Sequence, residues 1–335
     1  MKNTSSDLIV AGRRGEKARA MAEELNREFS GDRASWALAD ASDPPTLAEP
    51  LGRADLVIAA ATTTSFVETT ARAAIEAGAD YLDIHYPEEV VAVLEGLAPD
   101  IERAGLTFVT RAGFLPGLPS VLVRRAAPFF SDYRRAAVSV AMRSDFDPGG
   151  AVLEFVDTLG DYSAEIFRGG EWRRAGYGDL RKVDFGPPLG ERACYPTTLS
   201  EMRDLPARLG IEELAAYVAG LNWFVDYVVA PLAFLLGRVK RGLGRDQLAG
   251  LMVWGSKRFK APGEAVAVVL EAEGEKDGEE LSVRMAARHD DVYEFTAMPV
   301  AAFLDQYLDG TAKLPGLWMM GHLVDPVRFV EELER

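Results

Sequence analysis

Leu56–Ile84, LVIAAATTTSFVETTARAAIEAGADYLDI, decides the fold. Leu56–Ala61 is an apolar run of strand length, suited to a sheet covered on both faces. Ser65-Phe-Val-Glu68 has the spacing of a capping box, which predicts a helix through Ala77. Gly78 is placed to end that helix in a left-handed turn, and Tyr81–Ile84 is the next strand. The unit is therefore strand, helix, strand. Upstream, Leu8–Ala11 is a strand, and Ala18, Met21, Ala22, Leu25 and Phe29 recur at the spacing of one helical face. Ser35–Ala39 is a weaker strand. Downstream, Pro87 opens a helix striped by Val90, Val91, Leu94 and Leu97, and Leu106–Thr110 is a strand. Strand and helix alternating in this way predict a Rossmann-like, doubly wound parallel sheet, with ligands beyond the carboxyl ends of its strands. After residue 120 the alternation fades into an α+β region. There Glu264–Ala272 and Leu281–Ala287 read as a hairpin.

Charge and composition narrow the function classes. The 335 residues carry a formal charge of −15, which argues against nucleic acid or anionic lipid as a bulk partner; local basic clusters can still hold one phosphate. One cysteine, Cys194, excludes an intrachain disulfide and fits a reducing, cytoplasmic setting. With only three histidines beside it, no metal site is expected. Met1–Asp7 is too polar, and Leu8–Ala11 too short, for a signal peptide. Leu214–Gly237 is long and apolar, interrupted by Asn222, Asp226 and Pro231. It reads as a buried helix pair or a homodimer contact, with Trp223–Tyr227 suited to the latter; a lipid-surface anchor through the same stretch is the weaker alternative. Phosphate-loop, serine-elbow and zinc-helix motifs do not occur, and no G-x-G-x-x-G turn precedes Leu8.

Four stretches together resemble the saccharopine dehydrogenase-like (saccharopine reductase-like) oxidoreductases. They are Asp7–Arg14 (DLIVAGRR), Ala71–Ile84, Val109–Pro119 (VTRAGFLPGLP), and Thr296–Val330 with Asp309-Gly310, Pro315-Gly316 and Asp325-Pro326. The resemblance implies a Rossmann domain over 1–118, with 311–335 returning to it, and an α+β substrate and dimerisation domain over 119–310. Members open with a strand and glycine-rich turn that cradle the cofactor pyrophosphate; here the chain enters at what would be the second strand. The first domain is then expected to be N-terminally truncated, with a gap between the second and fourth strands. Three explanations stay open: a start assigned too late, a real loss of the unit, or a missing half supplied by another chain.

The implied activity is NADP-dependent hydride transfer at a C–N centre of a small substrate. The alternative is a non-catalytic remnant that serves as a binding or dimerisation module. Arg13 and Arg14, after Gly12, stand where a 2′-phosphate is accommodated. The cofactor contacts expected beside them are Asp40, the small Ala60, Ala61 and Thr62, and the loop of Gly113, Pro116 and Gly117. Asp83, His85 and Arg111 follow strand ends and are the catalytic candidates: His85 as a proton relay, Arg111 as a clamp on a substrate carboxylate.

Overall fold

The structure is a computed structural model that describes residues 5–29, 31–143, 149–160, 162–259 and 263–334. Two compact units emerge. The first comprises residues 1–85, 89–110 and 314–318, and the second the remainder. The division falls at Thr110–Arg111, earlier than the boundary at 118 that the sequence implied. Of the returning tail, only Leu314–Trp318 joins the first unit, while 319–335 belongs to the second.

The first unit alternates strictly: β1 (Leu8–Gly12), α1 (Gly15–Glu28), β2 (Ala34–Leu38), the short α2 (Ala48–Leu51), β3 (Leu56–Ala59), α3 (Val67–Ala77), β4 (Asp80–Asp83), α4 (Glu89–Ala104) and β5 (Thr107–Thr110). Parallel pairing joins β1 to β2, β3 to β4, and β4 to β5. These strands form two separate sheets, one of β1 and β2 and one containing β3, β4 and β5. Their order matches the expected gap, because β1 pairs only with β2 among the described residues. Strands bordering such a gap expose apolar side chains, and Leu8, Trp36, Leu38 and Ile58 are all exposed.

Helix α1 covers the small sheet through Ala18 and Ala22, while Met21, predicted on the same face, is half exposed. Asn26 ties that helix to the sheet: its Nδ2 donates to Ala34 O and its Oδ1 accepts from Ala34 N, each at 2.8 Å. The larger sheet is covered by α3 and α4 around Ala71, Ala74, Leu94, Leu97 and Ile101, with Tyr81 stacked on Phe108 at 5.2 Å. Gly78 adopts the left-handed conformation its position predicted, at φ +70°. The capping box does not form. A 3-10 turn over Thr64–Phe66 leads into α3 at Val67 with no side-chain cap, because the N-cap position falls on Phe66, one residue later than the motif requires.

The second unit holds α5 (Leu118–Ala126), β6 (Asp132–Arg143), α6 (Gly150–Gly160), β7 (Glu165–Arg168), β8 (Glu171–Arg174), β9 (Arg181–Asp184), β10 (Glu191–Thr197), α7 (Leu205–Leu209), β11 (Glu213–Ala219), α8 (Ala230–Val239), α9 (Arg245–Arg258), β12 (Ala265–Lys276), β13 (Glu279–His289) and α10 (Val292–Leu308). Its sheet runs β13-β12-β6-β11-β10-β9, with β7 and β8 branching from β11. Among the described residues, β6 and β11 pair in parallel and their other neighbours are antiparallel. The predicted hairpin is the β12–β13 pair. On β12, Ala265, Ala267 and Val269 pack with Phe185, Cys194 and Tyr217, while Val266, Val268 and Leu270 are buried on the opposite face. The chain ends with β14 (Gly316–Met319), which sits beside β5 in the first unit's sheet, then α11 (Met320–Leu323) and α12 (Pro326–Leu333).

Leu214–Gly237 departs from its reading as a helix pair. Its first part is β11, and the helix begins as a π turn, Val225–Val229, that continues into α8. Apolar runs carry no period by which strand and helix can be told apart, so tertiary pairing chose.

Candidate functional site

In the first unit, β1 ends at Gly12, whose carbonyl accepts from Ala39 N at 3.2 Å. The Arg14 carbonyl then accepts from Lys17 and Ala18 and starts α1. Arg13 and Arg14 are exposed at this junction and close no ion pair among the described residues. Asp40, just past β2, accepts from Ser42 N at 2.9 Å and Ser42 Oγ at 2.7 Å. Those bonds, with a smaller contribution from the Arg13 charge, hold its carboxyl below the usual carboxylate range. Asp40 is thus a turn former whose charge also faces Arg13. Ala60, Ala61 and Thr62 follow β3 as exposed coil with small side chains.

Asp83 closes β4 and is fully buried. Its Oδ1 accepts from Thr110 Oγ1 at 2.9 Å and from the His85 amide at 3.1 Å. Burial first, then the Asp83 charge, pushes the Tyr81 phenol far above its ordinary value. One carboxylate therefore clasps the ends of β4 and β5 and fixes the turn that carries buried His85.

The remaining predicted residues belong to the second unit. Gly113 N donates to Pro116 O at 3.0 Å and Leu118 N to Gly113 O at 2.9 Å, winding residues 113–117 into a tight loop with a cis Leu115–Pro116 peptide. Gly117 sits at φ +123°, where a Cβ would lie 2.3 Å from Arg111 O, so glycine alone fits. Arg111 is itself left-handed, at φ +62°, and fully buried. Its Nη1 donates to Tyr86 O, and its Nη2 reaches Pro87 O at 3.4 Å and Glu88 Oε2 at 3.0 Å. Both Nη groups of the guanidinium face the 86–88 turn, while its Nε closes no hydrogen bond among the described residues.

Sequence reasoning missed what lies beside this arginine. Glu88 Oε1 also accepts from Ser200 N at 3.3 Å. Next in the chain, Glu201 is wholly buried, and desolvation raises its carboxyl to about 7. The amides of Gly117 and Ser120 and the charge of Arg111 pull the other way, but neither carboxylate oxygen closes a hydrogen bond of good geometry. His322 Nε2 lies 2.7 Å from Glu201 O and 3.4 Å from Asp204 Oδ1, and burial lowers its pKa. No local signal marked Glu201, a single acid in a short 3-10 turn; its setting comes from segments distant in sequence.

Residues 1–109 match the family model described as the saccharopine dehydrogenase NADP binding domain. Among solved structures, apo saccharopine dehydrogenase (L-Glu forming) from Saccharomyces cerevisiae is 15% identical and superposes with a TM-score of 0.68, over 99% of this chain and 91% of that one. An engineered D-amino acid dehydrogenase is 12% identical, over 97% of this chain and 96% of that one, at a TM-score of 0.49. No curated protein matches the chain. The resemblance read from the sequence is borne out: residues 1–109 match the saccharopine dehydrogenase NADP binding domain model, and the fold of the chain is similar to that of saccharopine dehydrogenase.

Proposed function

We propose, for a chain whose first 109 residues match the family model described as the saccharopine dehydrogenase NADP binding domain, an NADP-dependent oxidoreductase that transfers hydride at an imine or amine carbon of a small substrate. The observation carrying this reading is the pair of exposed guanidiniums at the carboxyl end of β1, which close no ion pair among the described residues. Two such groups suit a 2′-phosphate, which each can bind through a planar fork. Asp40 restrains Arg13 by charge, and the small Ala60, Ala61 and Thr62 leave room for a dinucleotide after β3. The Gly113–Gly117 loop, expected from the sequence as a further cofactor contact, belongs to the second unit. When bound, the nicotinamide supplies or accepts the hydride.

The protein's own residues then hold the substrate and exclude water. An iminium carbon is already electrophilic through its positive charge, so the reaction does not demand a strong acid–base pair. That fits Asp83 and Arg111, both committed to fixing turns, with His85 held beside Asp83. In this reading the three are positioning residues whose influence on chemistry passes through the 83–88 turn.

Titration with NADPH, followed by nicotinamide fluorescence with NADH as comparator, tests the proposal. Saturable enhancement with NADPH and a weaker response to NADH is the expected result. A flat response at millimolar cofactor overturns it and favours the non-catalytic binding module.

A further inference from the structure

The π turn and α8 form one continuous helix with two apolar faces. One face, with Val225, Val229 and Ala233, packs into a core shared with α6 and α9. The other points outward: Val228, Leu232, Leu235 and Val239 fall at i, i+4, i+7 and i+11, and Leu235 and Val239 are 60% and 76% exposed. Tyr227, at 70%, extends the same open surface. A helix that is apolar all round is ordinarily buried or in contact with lipid. Beside it stands a ring cluster in which Phe259 meets Trp223 at 4.8 Å and Trp254 at 5.6 Å, and both tryptophans are more than half exposed.

The charge around this surface opposes that of the molecule. Between residues 238 and 259 the chain carries Arg238, Lys240, Arg241, Arg245, Lys257 and Arg258 against one acid, Asp246, in a protein of net −15. Arg245 is paired with Asp157 at 2.7 Å. Arg238 and Arg258 lie over the Phe234 and Phe259 rings, so their stems cover apolar surface while their charges stay outward. A second copy docking on this face in a two-fold contact would bring the basic rim against itself. Exposed aliphatics flanked by tryptophan, tyrosine and basic side chains match an anionic lipid surface instead.

We propose that this helical face seats the protein on an anionic phospholipid bilayer, lying on the membrane and not crossing it. Among the described residues no helix is long and apolar enough to span one. The aliphatic face enters the headgroup boundary, Trp223 and Trp254 sit at headgroup depth, and Arg238, Lys240 and Arg258 meet lipid phosphates.

The full chain is tested by flotation with phosphatidylcholine vesicles, with and without phosphatidylglycerol. Recovery with the anionic vesicles should exceed that with neutral ones by about ten-fold, and should fall at about 0.5 M salt as charges are screened. Leu235→Asp with Val239→Asp, and separately Arg238→Glu with Lys240→Glu, should each abolish flotation. Both pairs should keep the circular dichroism spectrum and NADPH titration of the parent. Absence of flotation with anionic vesicles, or equal recovery on both kinds, overturns the proposal. So does a lipid-free dimer that Leu235→Asp with Val239→Asp dissociates while vesicles bind nothing, which would make a second copy the occupant.

Discussion

The Thr110 hydroxyl donates to the Asp83 carboxylate at 2.9 Å, joining the last residue of β5 to the last residue of β4. Both groups are buried, so the bond is shielded from water, and the strand ends facing the expected ligand side are set by it. Removing the hydroxyl with Thr110→Val leaves a buried carboxylate short of a donor. The expected loss is about 1–3 kcal/mol, read as a lower urea midpoint with an unchanged slope. An unshifted midpoint would show that the bond contributes nothing.

Arg13→Ala with Arg14→Ala tests the phosphate role. Each charge-assisted contact is worth about 1.5–3 kcal/mol, and exposure to solvent trims that, so NADPH binding should weaken by roughly 10- to 100-fold. NADH binding should change little, because it lacks the 2′-phosphate. Equal weakening of both cofactors would mean that the arginines do not read that group.

Glu201 gives the stability a pH dependence of defined sign. Its carboxyl titrates near 7 in the folded chain against an ordinary value of 4.5, so the folded state holds more protons between those two values. Stability therefore falls as pH rises from 4.5 to 7 and levels off above, by about 3 kcal/mol in total. Glu201→Gln mimics the protonated form and should flatten this profile, leaving the variant more stable than the parent at about pH 8. Thermal melts across the range read the effect, and parallel profiles for both proteins would contradict it.

Gly117→Ala should be severe. The added Cβ would meet three backbone atoms, Arg111 O, Gly113 O and Gly113 N, at 2.3, 2.5 and 2.9 Å, and φ +123° is itself costly for any other residue. Backbone cannot yield as a flexible side chain can, so a loss of more than about 2 kcal/mol is expected in a denaturant melt. Gly78→Ala is the control: φ is also positive, at +70°, but nothing lies within 4 Å, so its cost should be about 1 kcal/mol.

The sequence by itself determined the βα alternation, the left-handed stop at Gly78, the β12–β13 hairpin and the arginine pair after β1. Each follows from local physics: apolar period, the steric freedom of glycine, or the charge at a strand end. It also placed Asp83, His85 and Arg111 near strand ends, which was enough to find them but not to assign their work. Tertiary structure decided that work. Burial sets the Arg111 guanidinium against the Tyr86 and Pro87 carbonyls and Glu88, and Glu201 was invisible because desolvation is imposed by segments remote in sequence. The same holds for residues 214–237, where β11 was selected by parallel pairing with β6 and the open face of α8 by what packs beneath it. Local periodicity states which side chains share a face; only long-range packing states what that face meets.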